Sequence, residues 1–91
     1  MIAPERLRAL RNGIPIDRVL AVVDLPLKHS EGYCRFLCPL CGEFNTATNP
    51  RTNLARCFRC ERNFNPIDLV MIVEGRTFLG AVDRLASLLE L

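Results

Sequence analysis

The residues of this chain best equipped for chemistry are cysteines. Four of them form two pairs, Cys38-Pro39-Leu40-Cys41 and Cys57-Phe58-Arg59-Cys60, spaced C-x2-C-x15-C-x2-C. A C-x2-C pair closes a tight turn, eased in the first pair by Pro39 and the following Gly42, and brings two sulfurs to one ion from adjacent corners of a tetrahedron. Two pairs fill the positions that zinc takes in a structural site, leaving none for water or substrate. The expected cofactor is one structural Zn2+ held by Cys38, Cys41, Cys57 and Cys60. Unligated core cysteines or two disulfides are the competing readings, and the paired spacing favours metal. Cys34 stands outside the pattern and reads as a small buried strand residue, because using it as a ligand would abandon the Cys38-Pro39 knuckle.

The elements that must position these thiols can be read in order. Pro4 to Arg11 suits a short helix stopped by Asn12-Gly13, with its arginines forming a solvated face. Ile16, Val19, Leu20 and Val23 recur at helical spacing until Asp24-Leu25-Pro26 ends the run. Leu27-Lys28-His29 and Tyr33-Cys34-Arg35-Phe36-Leu37 then flank a turn at Ser30-Glu31-Gly32. Thr46-Ala47-Thr48 and Leu54-Ala55-Arg56 flank a second turn over Asn49-Pro50-Arg51-Thr52-Asn53. After Cys60 the chain is expected to return to helix: Asn65 caps it, Pro66 and Asp68 occupy its first turn, Ile67, Val70 and Met71 form its buried stripe, and Gly75 stops it. A last helix from about Phe78 carries Phe78, Val82, Leu85 and Leu89 on one face, a core pattern. The fold class is thus α+β, a small zinc-ribbon antiparallel sheet flanked by N-terminal and C-terminal helices. It is expected as a single domain over 1–91, with the ribbon core at about 27–62 and the C-terminal helices at about 65–90. At 91 residues a hydrophobic core alone is marginal and a metal staple helps.

No stretch resembles a signal peptide, and the early apolar run Val19 to Val23 is stopped by Asp24, far too short for a bilayer. The expectation is no membrane and a cytoplasmic location, where thiols stay reduced. The formal charge of +2 counts cysteines as neutral. Four thiolates outweigh one Zn2+ and bring the holo-protein near neutrality, so the distribution of charge says more than its sum. Arg51, Arg56, Arg59 and Arg62 fall in one turn, strand and knuckle, opposed locally by Glu61, while Lys28 and Arg35 lie on the neighbouring strands. Such a surface could hold phosphates, with Phe58 or Tyr33 stacking a base. The blander alternative has the arginines solvating the sheet and balancing the anionic zinc centre; for Phe58 alone, packing in the core is the favoured reading. His29 reads as an exposed spectator.

Across most of its length, from about Ile16 to Leu89, the chain resembles the N-terminal zinc-binding domain of bacterial DNA primases, the Cys-His-Cys-Cys zinc finger family. The resemblance is carried by Cys38-Pro39, Cys57-Phe58-Arg59-Cys60, Ile67-Asp68-Leu69-Val70-Met71, and Phe78 followed by Ala81-Val82 and Leu85-Ala86. Lys28 also matches a position that the family often fills with lysine. This chain departs from the family in having Cys41 where the second ligand is histidine, and Asn45-Thr46-Ala47-Thr48 in place of a Thr-Pro-Ser-Phe stretch. The resemblance implies recognition of single-stranded DNA in replication, with Arg56 and Arg59 at the centre, Arg35, Arg51 and Lys28 extending the groove, and a primase polymerase domain or helicase as the protein partner. Primer synthesis is not expected of these residues, which offer neither a phosphate-cradling loop nor clustered carboxylates for Mg2+. The alternative is a zinc-ribbon interaction module that docks on a replication or transcription partner through an apolar patch around Leu79, Leu88 and Leu91. A metalloenzyme is disfavoured by the closed metal site and the single histidine.

Overall fold

The structure, a computed structural model, describes residues 2–30 and 33–89. The expected turn residues Glu31 and Gly32, the Tyr33 side chain and Leu91 lie outside what is described. Helix α1 (Pro4–Asn12) starts on Pro4, with Glu5 in its first turn and Arg11 in its last, as the helix dipole favours. It buries Leu10 alone. Helix α2 (Ile16–Val22) buries Ile16, Val19 and Leu20. It ends where Asp24 turns to φ 62° ahead of Pro26.

Strands β1 (Leu27–Ser30) and β2 (Tyr33–Phe36) form the first hairpin, with Lys28 opposite Arg35 and His29 opposite Cys34. Strands β3 (Thr46–Asn49) and β4 (Leu54–Cys57) form the second, with Ala47 opposite Arg56. A further strand, β5 (Arg62–Phe64), pairs with β4 and sets Asn63 opposite Arg56 and Phe64 opposite Ala55. The sequence reading took the chain from Cys60 straight to helix. Three residues are too few to display alternation, and what makes them a strand is Phe64, drawn fully into the core beside Phe36 with ring centroids 6.4 Å apart.

The expected single sheet is two sheets, β1-β2 and β3-β4-β5. Between β2 and β3 the backbone ladder is replaced by threonine hydroxyls. Phe36 N–H donates to Thr46 Oγ1 at 2.8 Å, the same hydroxyl donates back to the Phe36 carbonyl, and Cys34 N–H donates to Thr48 Oγ1 at 3.0 Å. Both threonines are buried, so these bonds satisfy groups that water cannot reach.

Helix α3 (Pro66–Glu74) opens on a reciprocal capping box. Asp68 N–H donates to the Asn65 side chain at 2.8 Å, and Asn65 N–H donates to the Asp68 carboxylate at 3.0 Å. It closes on Gly75 at φ 65°, a left-handed position that a side chain would strain. Ile67 and Val70 are buried as expected and Met71 is half-buried, but Leu69 is fully buried too. This helix contacts α1, α2, α4 and β5, so it is enclosed on most sides. Helix α4 (Phe78–Leu89) presents Ala81, Val82, Leu85 and Leu88 to the core. The helical period was legible but its phase was not, because the small Ala81 sets it. Phe78 is 43% exposed and Leu89 half-buried, while Leu88 is buried rather than part of a surface patch. The Glu74 carboxylate ties the two helices by accepting from Arg76 Nε at 2.7 Å and Arg84 Nε at 3.4 Å. Burial alone would raise its pKa; the two guanidiniums outweigh it and hold the carboxyl below its ordinary value.

Asn53, at the end of the β3–β4 turn, joins the helical layer to the ribbon. Its Oδ1 accepts from Ile16 N–H at 2.7 Å, and its Nδ2 donates to the Arg11 carbonyl at 2.6 Å and the Ile14 carbonyl at 2.8 Å. Its backbone sits at φ 56°, a region asparagine tolerates better than most residues. Asn53→Ala leaves the Ile16 amide unpaired and is expected to lower stability by about 2–4 kcal/mol in denaturant unfolding, with zinc retained. A loss under about 0.5 kcal/mol, the range of an ordinary surface substitution, would show that the tie carries little.

Candidate metal centre and the groove beside it

The four cysteines of the two knuckles converge. Their sulfurs lie within 4.8 Å of one another, with Cys41 to Cys57 at 3.6 Å and Cys38 to Cys60 at 3.9 Å. A tetrahedron with metal–sulfur bonds of about 2.3 Å has edges of about 3.8 Å, so one zinc fits the cage. These separations are far beyond a disulfide bond and all the cysteines are free, which removes the two-disulfide reading. Each knuckle also turns backbone donors onto sulfur: Leu40 N–H lies 3.4 Å from Cys38 Sγ, and Cys60 N–H 3.4 Å from Cys57 Sγ. Gly42 closes the first knuckle at φ 73° and Glu61 the second at φ 52°, one with and one without the residue that makes such a turn easy. Cys38 and Cys57 are buried, Cys41 and Cys60 half-buried.

The thiols are electrostatically unequal. Burial and the neighbouring sulfurs push Cys60 up to about 12. Burial pulls Cys57 in the same direction, but the Cys60 amide and the adjacent thiols outweigh it and bring Cys57 to about 7. Sulfurs this close cannot all ionise on their own account; a divalent cation removes the conflict. Cys34 lies apart, buried and touching His29 Nδ1 at 3.2 Å, and burial, with a smaller contribution from the Asp17 carboxylate, raises its pKa. His29 is exposed as expected, but it covers that thiol instead of standing free.

Strand β4 serves two faces. Ala55 and Cys57 point inward, and Leu54, Arg56 and the following Phe58 point outward. The outward side chains line a groove of about 460 Å³ with Ala47, Pro50 and Asn63. The Arg56 guanidinium lies 5.7 Å from the Phe58 ring centroid and 3.3 Å from Asn63 Oδ1. Phe58 is 51% exposed, so its expected core packing is wrong. It follows the strand on the open side, with the Arg56 guanidinium over its ring.

The other basic residues are dispersed. Lys28 and Arg35 pair across the first hairpin, exposed, with Lys28 Nζ 4.4 Å from the Phe44 ring centroid. Arg59 turns back to Glu43 at 3.1 Å, an exposed ion pair outside the groove. Arg51 sits at the tip of the β3–β4 turn, and Arg62 lies over the Phe64 ring, 5.4 Å away. Asn63 and Ala47 were missed by sequence reasoning; they become visible only once β5 and the register of β3 are known.

No protein-family model matches the chain. Over 89 aligned residues, 94% of this chain, it is 33% identical to the DNA primase of Streptomyces coelicolor (strain ATCC BAA-471 / A3(2) / M145), and it spans 14% of that protein. The chain fits a primase zinc domain. Among the described residues, no helix is long and apolar enough to cross a membrane. The cysteine cage, complete in itself, gives the zinc a structural role: it closes both knuckles and so fixes β4 between them.

One zinc per chain is expected by elemental analysis, and its removal by a strong chelator should abolish the β3–β5 signal in circular dichroism. Cys57→Ser should lose the metal while Cys34→Ser keeps it. The reverse pattern would overturn the assignment.

Proposed function

We propose that this chain is a zinc-stabilised nucleic-acid-binding module that holds single-stranded DNA during replication. Cys38, Cys41, Cys57 and Cys60 ligate the zinc and take no part in catalysis. Arg56 and Phe58 form the centre of the binding groove, with Asn63 steadying the guanidinium. Lys28 and Arg35 on the adjacent hairpin supply flanking phosphate contacts, with Arg51 at the turn. Arg59, engaged with Glu43, contributes less. The observation that carries this reading is an exposed aromatic ring lying beneath an arginine on a rigid strand. A base stacks on such a ring whatever its identity, and the guanidinium meets the backbone phosphate that comes with it.

The name of the Streptomyces relative, a DNA primase, points the same way. In this reading the module works in the cytoplasm beside a primase polymerase domain or a helicase, and is not itself an enzyme. A second reading, docking on a protein partner, draws support from Phe78 and Leu79, 43% and 65% exposed at the start of α4.

The two chemistries separate by salt. Arg56→Ala should weaken binding of a labelled oligo-dT in anisotropy titrations and flatten the log–log salt slope by about 0.7, whereas Phe58→Ala should cost ~1–3 kcal/mol with little change of slope. Zinc content is measured for each variant. If both bind as the parent does, or if the parent shows no binding at low salt, the groove is not a nucleic-acid site.

A further inference from the structure

The arginines of α1 read from sequence as a solvated face, yet the fold places two of them along the groove's continuation. Past Leu54 and Thr52, which line the Arg56–Phe58 groove, a second depression of about 270 Å³ opens. Leu54 and Thr52 form one of its walls; Arg8, Arg11 and Asn12 of α1 form another, and Asn65 contributes a third. Arg8 and Arg11, exposed and one turn apart, carry no ion pair among the described residues. Glu5 stands one turn earlier without pairing to Arg8.

The two depressions are held in fixed relation. Asn53, which also lines the second one, donates to the Arg11 carbonyl at 2.6 Å, so the end of α1 is bolted to the turn that separates them. A docked helix with this fastening cannot carry its arginines away from the ribbon.

We infer that a single strand lying on Arg56 and Phe58 continues over Leu54 and Thr52 onto Arg8 and Arg11, making α1 the second half of a longer nucleic-acid path. This rests on the single-strand reading and adds to it a footprint and two residues. At one end the strand meets a ring and one guanidinium, a stacking site. At the other it meets two guanidiniums that carry no ion pair among the described residues, in a depression lined by polar side chains and Leu54 with no aromatic ring in its wall, a phosphate site; Phe78 and Asp68 lie on the far side of Arg11 and Asn65. Binding at the α1 end is therefore the more salt-sensitive and the more dependent on strand length. A stacked strand advances about 3.4 Å per nucleotide, so about twelve nucleotides, about 40 Å, exceed the molecule's longest extent of 35 Å and suffice for both halves, while about six cover about half that length.

The test compares oligo-dT of six and twelve nucleotides on the zinc-loaded full chain, in the parent, in R8A/R11A and in Arg56→Ala. Two phosphate contacts at 0.15 M salt are worth about tenfold in affinity and about 1.4 in salt slope. The R8A/R11A protein should lose that amount for the twelve-mer and almost nothing for the six-mer, while Arg56→Ala weakens both. If R8A/R11A binds both lengths as the parent does and Arg56→Ala is impaired, the extension is refuted and the groove reading stands. If none of the substitutions changes binding, both fail. If poly-glutamate binding is abolished in R8A/R11A while twelve-mer binding is unchanged, the depression belongs to an acidic protein partner and the inference is overturned.

Discussion

Four sulfurs confined within 4.8 Å set the terms for everything else in this fold. Thiolates at such separations repel one another, and a small half-buried cage offers little water to screen them. A Zn2+ ion turns each repulsion into a bond and joins two chain segments that short strands alone could not hold. Strand β4 enters the second knuckle at Cys57, and its alternation then decides which side chains face which way. The inward Ala55 and Cys57 belong to core and cage; the outward Leu54, Arg56 and Phe58 belong to the surface. Zinc acts on the groove by fixing the strand that carries it.

Polar ties do much of the remaining positioning. Where β2 meets β3, Thr46 and Thr48 hydroxyls stand in for ladder bonds and keep two short hairpins together. Where helices meet ribbon, Asn53 uses both ends of its amide on three backbone groups. No buried side-chain nitrogen or oxygen among the described residues lacks a partner. In a core of this size, bonds of this kind fix the relative placement of elements more sharply than apolar contact, which tolerates sliding.

Features that depend on neighbours in sequence were legible from the start. The knuckles, the Asn65 cap with Asp68 in the first turn, the Gly75 stop and both hairpins follow from residue types a few positions apart. Features set by distant partners were not. Strand β5 exists because Phe64 crosses Ala55 and meets Phe36. Phe58 reads as core by hydrophobicity, and only the parity of β4 turns it outward. The face of α4 is rotated because Ala81, too small to register as hydrophobic signal, sits at its centre. Asn53 looked like one more turn residue, since nothing local announces that α1 and α2 will present it with unpaired backbone groups. For the metal site, ligand spacing alone was enough; for the groove, the arginines cluster in sequence without showing which of them lies beside the exposed Phe58 ring, and the structure makes it Arg56.

The account is tested most directly by following backbone amide resonances of the zinc-loaded, isotopically labelled protein as a short oligo-dT is added. It predicts progressive shifts concentrated at Ala47, Leu54, Arg56, Phe58 and Asn63, with the amides of the cysteine cage and of α4 little changed. Shifts confined to Phe78, Leu79 and the rest of α4, or no shifts at low salt, would contradict it.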